Sequence, residues 1–378
     1  MFDHTHYVTV IRWKAGEKRS LRGISARHKA VMTPLIEWSR PGEVEPDEDR
    51  EVPTPSPRQL AEDLLKHWGA RPFFFDPIQF WSGKLGHDSR VLRQYAEELK
   101  TIGLRPIPVL RLDDDGKYRT ALRSLTTDQG ICIRLGYEDL CGQGLAKRLD
   151  AFSLTTRNAH EGIHLVADFE VHYGDIDIAA LCAHLPEIAR YRTFTVAAGS
   201  FPVDLREFKG PQIFYLAREE WIRWHDQVGG QVVRRPTFGD YAILNPVLTT
   251  GKPGINPSAT IRYTTEDHWL VMKGEGLRSK GSPGSDQYPA NSQLLMERSD
   301  YCGPDFSEGD RYIRDVAMRA TGPGNPTNWV QAGISHHIMF VVRQLEALFG
   351  DGHHGASTWR GTMPQDGDDV RGAGEGEE

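Results

Sequence analysis

The feature that most constrains this chain is an alternation, repeated eight times, of a short apolar, β-branched or aromatic run with a segment of helical spacing. The runs are Tyr7 to Trp13, Val31 to Trp38, Pro72 to Asp76, Ile107 to Leu112, Gly130 to Leu135, Ile163 to Glu170, Thr193 to Ser200 and Tyr241 to Asn245. Amphipathic stretches fall between them, such as Arg58 to Trp68, Val91 to Ile102, Asp175 to Ala189 and Arg218 to Gln227. Strands alternating with helices pair in parallel through right-handed crossovers, and near-continuous apolar strands suit a sheet covered on both faces. Eight such units within residues 1–247 match the ~250 residues of a (β/α)8 TIM-like barrel. An open doubly wound sheet is the competing arrangement. It would carry a glycine-rich fingerprint after its first strand, where this sequence reads Lys14-Ala15-Gly16-Glu17-Lys18.

Residues 248–350 read as a C-terminal hairpin-plus-helices extension packed on the barrel. The stretch SATIRYTTEDHWLVMKGEG alternates on either side of Thr265-Glu266-Asp267, as a hairpin does. GLRSKGSPGSDQY reads as a loop, and two helical stretches follow, Asp310 to Ala320 and Asn328 to Phe349. Proline-rich Pro41 to Pro57 reads as an exposed loop behind the second strand, and residues 351–378 as a disordered acidic tail. That tail carries five of the seven net negative charges. The body is therefore nearly neutral, which argues against a broad nucleic-acid-coating surface and leaves room for a local cationic pocket. Four separated cysteines without a CxxC pair point to reduced thiols. Without a signal sequence or an apolar run near the ~20 residues of a membrane helix, the chain reads as a soluble cytoplasmic protein.

A barrel of this kind does its chemistry where the strands end. Those ends carry Arg12, Lys14, Glu37, Asp76, Arg111, Arg134, Asp168, Glu170 and Asn245. Lys14, Arg111 and Arg134 suit the phosphate or carboxylate groups of a substrate. Glu37, Asp76 and Asp168 suit general acid/base work, or chelation of a divalent cation such as Mg2+ through hard oxygen ligands. The bland alternative is a ring of ion pairs that only hold one another. HExxH, GxSxG and Walker A sequences do not occur. His336 and His337 lie in an apolar helical run and point about 100° apart, so at most one of them faces a given pocket. His336 is taken as a catalytic candidate, with a satisfied core histidine as the alternative. Arg262 and Tyr263 in the hairpin are candidate substrate contacts, or else part of a solvated strand face.

Several stretches together resemble the family called beta protein, found in phage and bacterial genomes. They are YVTVIRWKAGEKRSLRGI with PLIEW, then FGDYAILNP, SATIRYTTEDHWLVMKGEG, FSEGDRYI and GNPTNWVQAGISHHIMFVV. The resemblance implies a prophage or antiviral gene setting and draws attention to Arg262, Tyr263, Asp310, His336 and His337, but it assigns no reaction. Family members often read Asn-His-His where this chain has Ser335-His336-His337. Two expectations follow. The first is a hydrolase of a phosphate-bearing substrate, a nucleotide or nucleic-acid end, at the barrel mouth. The second is a non-catalytic binding or scaffold component that engages a neighbouring defence-system protein.

Overall fold

The computed structural model describes residues 2–38, 54–78, 89–156, 159–247 and 256–350. Most of the expected loop at Pro41 to Pro57, and the expected tail, lie outside them. Eight parallel strands close into a barrel. They are β1 (Tyr7–Arg12), β2 (Leu35–Glu37), β3 (Pro72–Asp76), β4 (Arg105–Leu110), β5 (Ile131–Leu135), β6 (Ile163–Asp168), β7 (Thr193–Ala198) and β9 (Thr237–Asp240). Closure comes from β9, which pairs with β7 on one side and β1 on the other. The two-residue period of a strand sorts the side chains. Val8, Val10, Leu35, Phe74, Ile107, Val109, Cys132, Val166 and Ala197 fill the interior. Ile11, Ile36, Phe75, Leu110, Ile133, Leu165, Val196 and Phe238 face the helices.

The last barrel strand lies earlier than the Tyr241 to Asn245 run suggested. In TFGD only Phe238 signals burial, because the inward position Gly239 has no side chain. A Cβ there would stand 2.9 Å from that of Ala197. The chain turns immediately afterwards, with Ala242 at φ 53°.

Around the barrel run α1 (Ala15–Arg22), α2 (Ala26–Lys29), α3 (Pro57–His67), α4 (Ser89–Thr101), α5 (Gly116–Arg123), α6 (Tyr137–Cys141), α7 (Leu145–Thr156), α8 (Ile178–His184) and α9 (Glu219–Val228). Local chemistry starts several of them. Ser56 and Gln59 form a capping box with Pro57 at the first helical position, and Asp115 accepts from the backbone of Lys117 and Tyr118.

The hairpin forms as its sequence indicates, with β10 (Ser258–Thr264) and β11 (His268–Gly276) antiparallel. A strand the sequence reading missed, β8 (Gln212–Ala217), leaves the barrel region to pair with β11, making a three-stranded sheet in the order β10-β11-β8. One face of this sheet, through Ile261, Tyr263, Leu270 and Met272, packs on α10 (Gln287–Met296) and α11 (Glu308–Ala317). A loop was expected where α10 begins. Its sequence QYPANSQLLM has no sided apolar stripe, and it is held by tertiary burial of Tyr288 and Leu295.

The final helix, α12 (Pro326–Phe349), is capped by Asn325, whose side chain accepts from the Asn328 amide at 3.2 Å. It packs against α1, β1 and β10. Ile334, Ile338, Val341 and Val342 join the same outer core as Tyr7, Ile11 and Phe238. By position α12 is thus the eighth helix of the barrel, and the hairpin with α10 and α11 is inserted between it and β9.

The opposite end of the barrel holds two buried histidines. His164 Nε2 meets the Gln129 carbonyl at 2.9 Å and its Nδ1 meets the Thr193 hydroxyl at 2.8 Å, while His6 Nε2 meets Thr33 Oγ1 at 2.8 Å. The Phe2 ring lies 4.0 Å from His6 and 5.8 Å from His164. Burial lowers both side chains, to about 3 for His6 and about 4 for His164. The unfolded chain takes these protons first, so stability is complete above pH 6.5 and falls as pH drops toward the folded values. Between pH 6.5 and 4.5 each histidine should cost about 1.4 kcal/mol per pH unit. Chemical-denaturation titrations of the protein and of His164→Gln check this, the difference between the two changing by about 1.4 kcal/mol per pH unit over that range.

Candidate functional site

Beyond the apolar interior layers, the next inward position is polar on every strand but β7, where it is Gly199. Arg12, Glu37, Asp76, Arg134 and Asp168 end β1, β2, β3, β5 and β6 or sit one residue short of the end, while Arg111 and Tyr241 follow β4 and β9. Strand geometry therefore brings charges that are far apart in sequence into one layer.

Arg134 is its centre. Its Nε donates to Asp168 Oδ2 at 2.8 Å, Nη1 to Glu37 Oε1 at 2.8 Å and Asp76 Oδ2 at 2.7 Å, and Nη2 to the Tyr241 hydroxyl oxygen at 2.7 Å. Tyr241 in turn donates to Asp168 Oδ2 at 2.6 Å. Arg111 grips Asp76 with both terminal nitrogens, at 2.9 and 2.7 Å. Burial alone would raise Asp76, but Arg111 and then Arg134 hold it below the usual carboxylate value. For Arg134 burial works against the charge, and Tyr241, Asp168, Glu37 and Asp76 outweigh it, raising its pKa. Arg12 Nη2 donates to the carbonyls of Asn245 and Pro246 at 2.9 and 2.8 Å, and its Nε stands 3.8 Å from Glu37 Oε2.

The layer is well buried but not fully satisfied. Glu37 Oε2 is buried without a hydrogen-bond donor. Two further carboxylates flank the cluster. Asp114 accepts from the Arg111 amide at 2.7 Å through Oδ2, while its buried Oδ1 has no donor. Burial pushes Asp114 up to about 6. Glu170, at φ 53°, donates its backbone N–H to Asp168 Oδ1 and is raised by burial and then by the charge of Asp168. Arg111, paired with Asp76, retains 19 % side-chain exposure, and Lys14 is half-buried as the N-terminal cap residue of α1.

Glu37, Asp76, Arg111, Arg134 and Asp168, singled out from sequence, thus meet in one place. Arg12 joins them through Glu37, whereas His336, Tyr263 and Arg262 do not. His336 is fully buried, with Nδ1 2.9 Å from Asp310 Oδ2 and Nε2 2.8 Å from the Thr264 carbonyl, and its ring is stacked on Tyr263 at 3.7 Å. With both nitrogens occupied it serves the core of the insertion. Tyr263 donates to Asp310 Oδ1 at 2.7 Å in the same cluster. The adjacent His337 turns the other way, to Asp240 Oδ2 at 2.8 Å and Thr264 Oγ1 at 2.8 Å. Arg262 donates to the Ile243 carbonyl at 3.0 Å, beside the barrel end but outside the Arg134 network. Asn245 is a loop residue that reaches the Phe201 carbonyl at 2.6 Å, and Tyr241 is the side chain that β9 delivers to the mouth.

Among the described residues no group of three or more His, Cys, Asp or Glu side chains is arranged to hold a metal ion, and no helix is long and apolar enough to cross a membrane. The four cysteines are unpaired.

The sequence model of the family described as Beta protein matches residues 7–343, every barrel strand and most of α12 included. The chain belongs to the Beta protein family. Among solved structures, this Beta protein family member is similar to a mutant tryptophan synthase alpha-subunit from the hyperthermophile Pyrococcus furiosus. The two are 10 % identical with a TM-score of 0.33, covering 64 % of this chain and 89 % of the other. The barrel assignment rests on the strand pairing itself. No curated protein matches the sequence. Of the mouth residues of this Beta protein family member, Tyr241 and Asp114 escaped the sequence reading. Tyr241 was hidden by the misplaced last strand, and Asp114 by its place in the run Asp113-Asp114-Asp115, where it looks like a solvated turn residue.

Proposed function

We propose that this protein is a hydrolase acting on a phosphate-bearing substrate, a nucleotide or nucleic-acid end, at the C-terminal mouth of the barrel. The observation that carries the reading is the convergence of six charged side chains, Arg12, Glu37, Asp76, Arg111, Arg134 and Asp168, into one buried group at that mouth. Buried ion pairs can often be replaced by apolar residues of similar volume without loss of stability, so a layer of this size is better understood through chemistry than through folding. Arg111, Arg12 and Lys14 form the edge that receives the phosphate oxygens. Glu37, whose Oε2 lacks a donor, takes a proton from the attacking water. As the new phosphorus–oxygen bond forms and the old one breaks, Asp114, which burial raises to about 6, gives its proton to the departing oxygen. Asp76 and Asp168 hold the arginines in place. On this reading the enzyme works in the cytoplasm, in a phage-related or antiviral setting.

A panel of phosphate monoesters, diesters and nucleotides tests the reading. Glu37→Gln should lose at least about 100-fold in kcat, with a melting temperature within a few degrees of the parent. Full turnover in that variant refutes the assignment.

A second reading is a non-catalytic scaffold that recruits a neighbouring defence-system protein through the hairpin and α12. What favours it is that Asp76, Asp168 and Arg134 are saturated by one another. It is supported if the panel is inert and the protein co-purifies with a genomic neighbour, and refuted if it remains alone.

A further inference from the structure

A cavity of about 540 Å3 lies between the sheet surface that faces the barrel and the segment Val203 to Gly210. Cross-strand register fixes its floor. Thr260 stands opposite Lys273 and Arg262 opposite Val271, so Ser258, Thr260, Arg262 and Lys273 share one face of the sheet. Both cations line the cavity, and among the described residues neither is within ion-pair distance of a carboxylate. Among the described residues the Arg262 guanidinium donates only to the Ile243 carbonyl, and it lies 4.5 Å from the centre of the Phe201 ring. Lys273 Nζ donates to the carbonyls of Leu205, at 2.6 Å, and Phe208. Carbonyls and a ring face orient these groups but cancel none of their charge. The contrast is with Arg134 and Arg111, which are matched to carboxylates at 2.7–2.9 Å. Of the acids on the cavity wall, Asp204 is held by Arg206 at 2.6 Å and feels Lys273 only as a weaker, more distant charge, and Glu275 is exposed. Without a counter-ion, burial lowers Arg262 to about 10.

We infer that this cavity is a second anion site, separate from the barrel mouth, which takes a small phosphate-bearing molecule between Arg262 and Lys273. Phosphate is the fitting class because two cations converge beside the hydroxyls of Ser258 and Thr260, and the space exceeds what a bare carboxylate would occupy. The bound oxyanion accepts from the unused guanidinium nitrogens and supplies the missing negative charge. The site does not depend on the hydrolase reading, because none of its groups belongs to the Arg134 network.

Calorimetric titration of the full chain with inorganic pyrophosphate at low ionic strength provides the test. Saturable binding is expected, weakened at least tenfold in Arg262→Gln. Ser258→Glu should weaken it equally while removing no cation, so the test stands even if one variant fails to fold. Pyrophosphate bound at the mouth is told apart by substitution there: the component weakened in Arg262→Gln and Ser258→Glu should remain in Glu37→Gln/Arg111→Gln, which alters the mouth alone. A binding isotherm identical to the parent's in both Arg262→Gln and Ser258→Glu, or no saturable binding by the parent protein, overturns the inference.

Discussion

Replacing Arg134 with methionine should destabilise the protein by about 3–5 kcal/mol and lower its melting temperature by roughly 10 °C. The side chain makes four hydrogen bonds to Glu37, Asp76, Asp168 and Tyr241, all of them buried. Methionine fills much of the same volume but leaves an excess negative charge inside the barrel. Asp76 keeps Arg111, and Asp168 keeps the Tyr241 hydroxyl, so the deficit falls most heavily on Glu37, whose remaining cation is Arg12 at 3.8 Å. Because the cost lies in the unpaired charge, the double variant Arg134→Met/Glu37→Leu should recover part of the loss. Thermal unfolding of the three proteins decides the matter. An unchanged midpoint in Arg134→Met means that the layer is hydrated and weak. The same logic makes Asp76→Ala and Asp168→Asn stability variants, so Glu37 is the cleaner probe of chemistry.

Asp310→Ala should have an effect of similar size, at least about 3 kcal/mol, although it lies outside the barrel mouth. One carboxylate accepts from three side chains: Tyr263 at 2.7 Å, Ser307 at 2.6 Å and His336 at 2.9 Å. Alanine orphans all three donors in a fully buried place. Asp310→Asn should cost less, because its amide oxygen still accepts. A denaturant midpoint for Asp310→Ala equal to that of the parent would show that the cluster can be replaced by packing alone. If the hydrolase reading holds, the residual folded fraction of Asp310→Ala should keep the parent kcat, which separates this cluster from the mouth.

The contrast between these two clusters shows what a sequence of this kind reveals. Strand-end charges such as Glu37, Asp76 and Asp168 are legible because parallel strands advance in step, so their ends share a level whatever the intervening helices do. Arg111 and Arg134 follow by the same rule. The Asp310–His336 and Asp240–His337 contacts had no such guide, since they join an inserted or barrel element to a late helix by tertiary packing alone. The helical spacing did indicate that the two histidines diverge, and they do. β8 was lost because Gln212 to Ala217 runs straight into the helical Arg218 stretch and lies at a sheet edge, where one side of the strand is exposed. The last barrel strand was misplaced because Thr237 to Asp240 holds a glycine where a buried side chain was sought.

The position of α12 also bears on the order in which the protein can be built during synthesis. The outer surface of β1 at Tyr7 and Ile11, made first, is covered by residues that come more than three hundred positions later, such as Ile338 and Val341. Tyr7 meanwhile shares Asp240 with His337, at 2.6 and 2.8 Å. A ribosome-bound chain that ends before Pro326 therefore carries a barrel with an uncovered seam between its first and last strands. The outer core over β1 closes only once the last helix has emerged, which makes docking of α12 a late step of folding during synthesis.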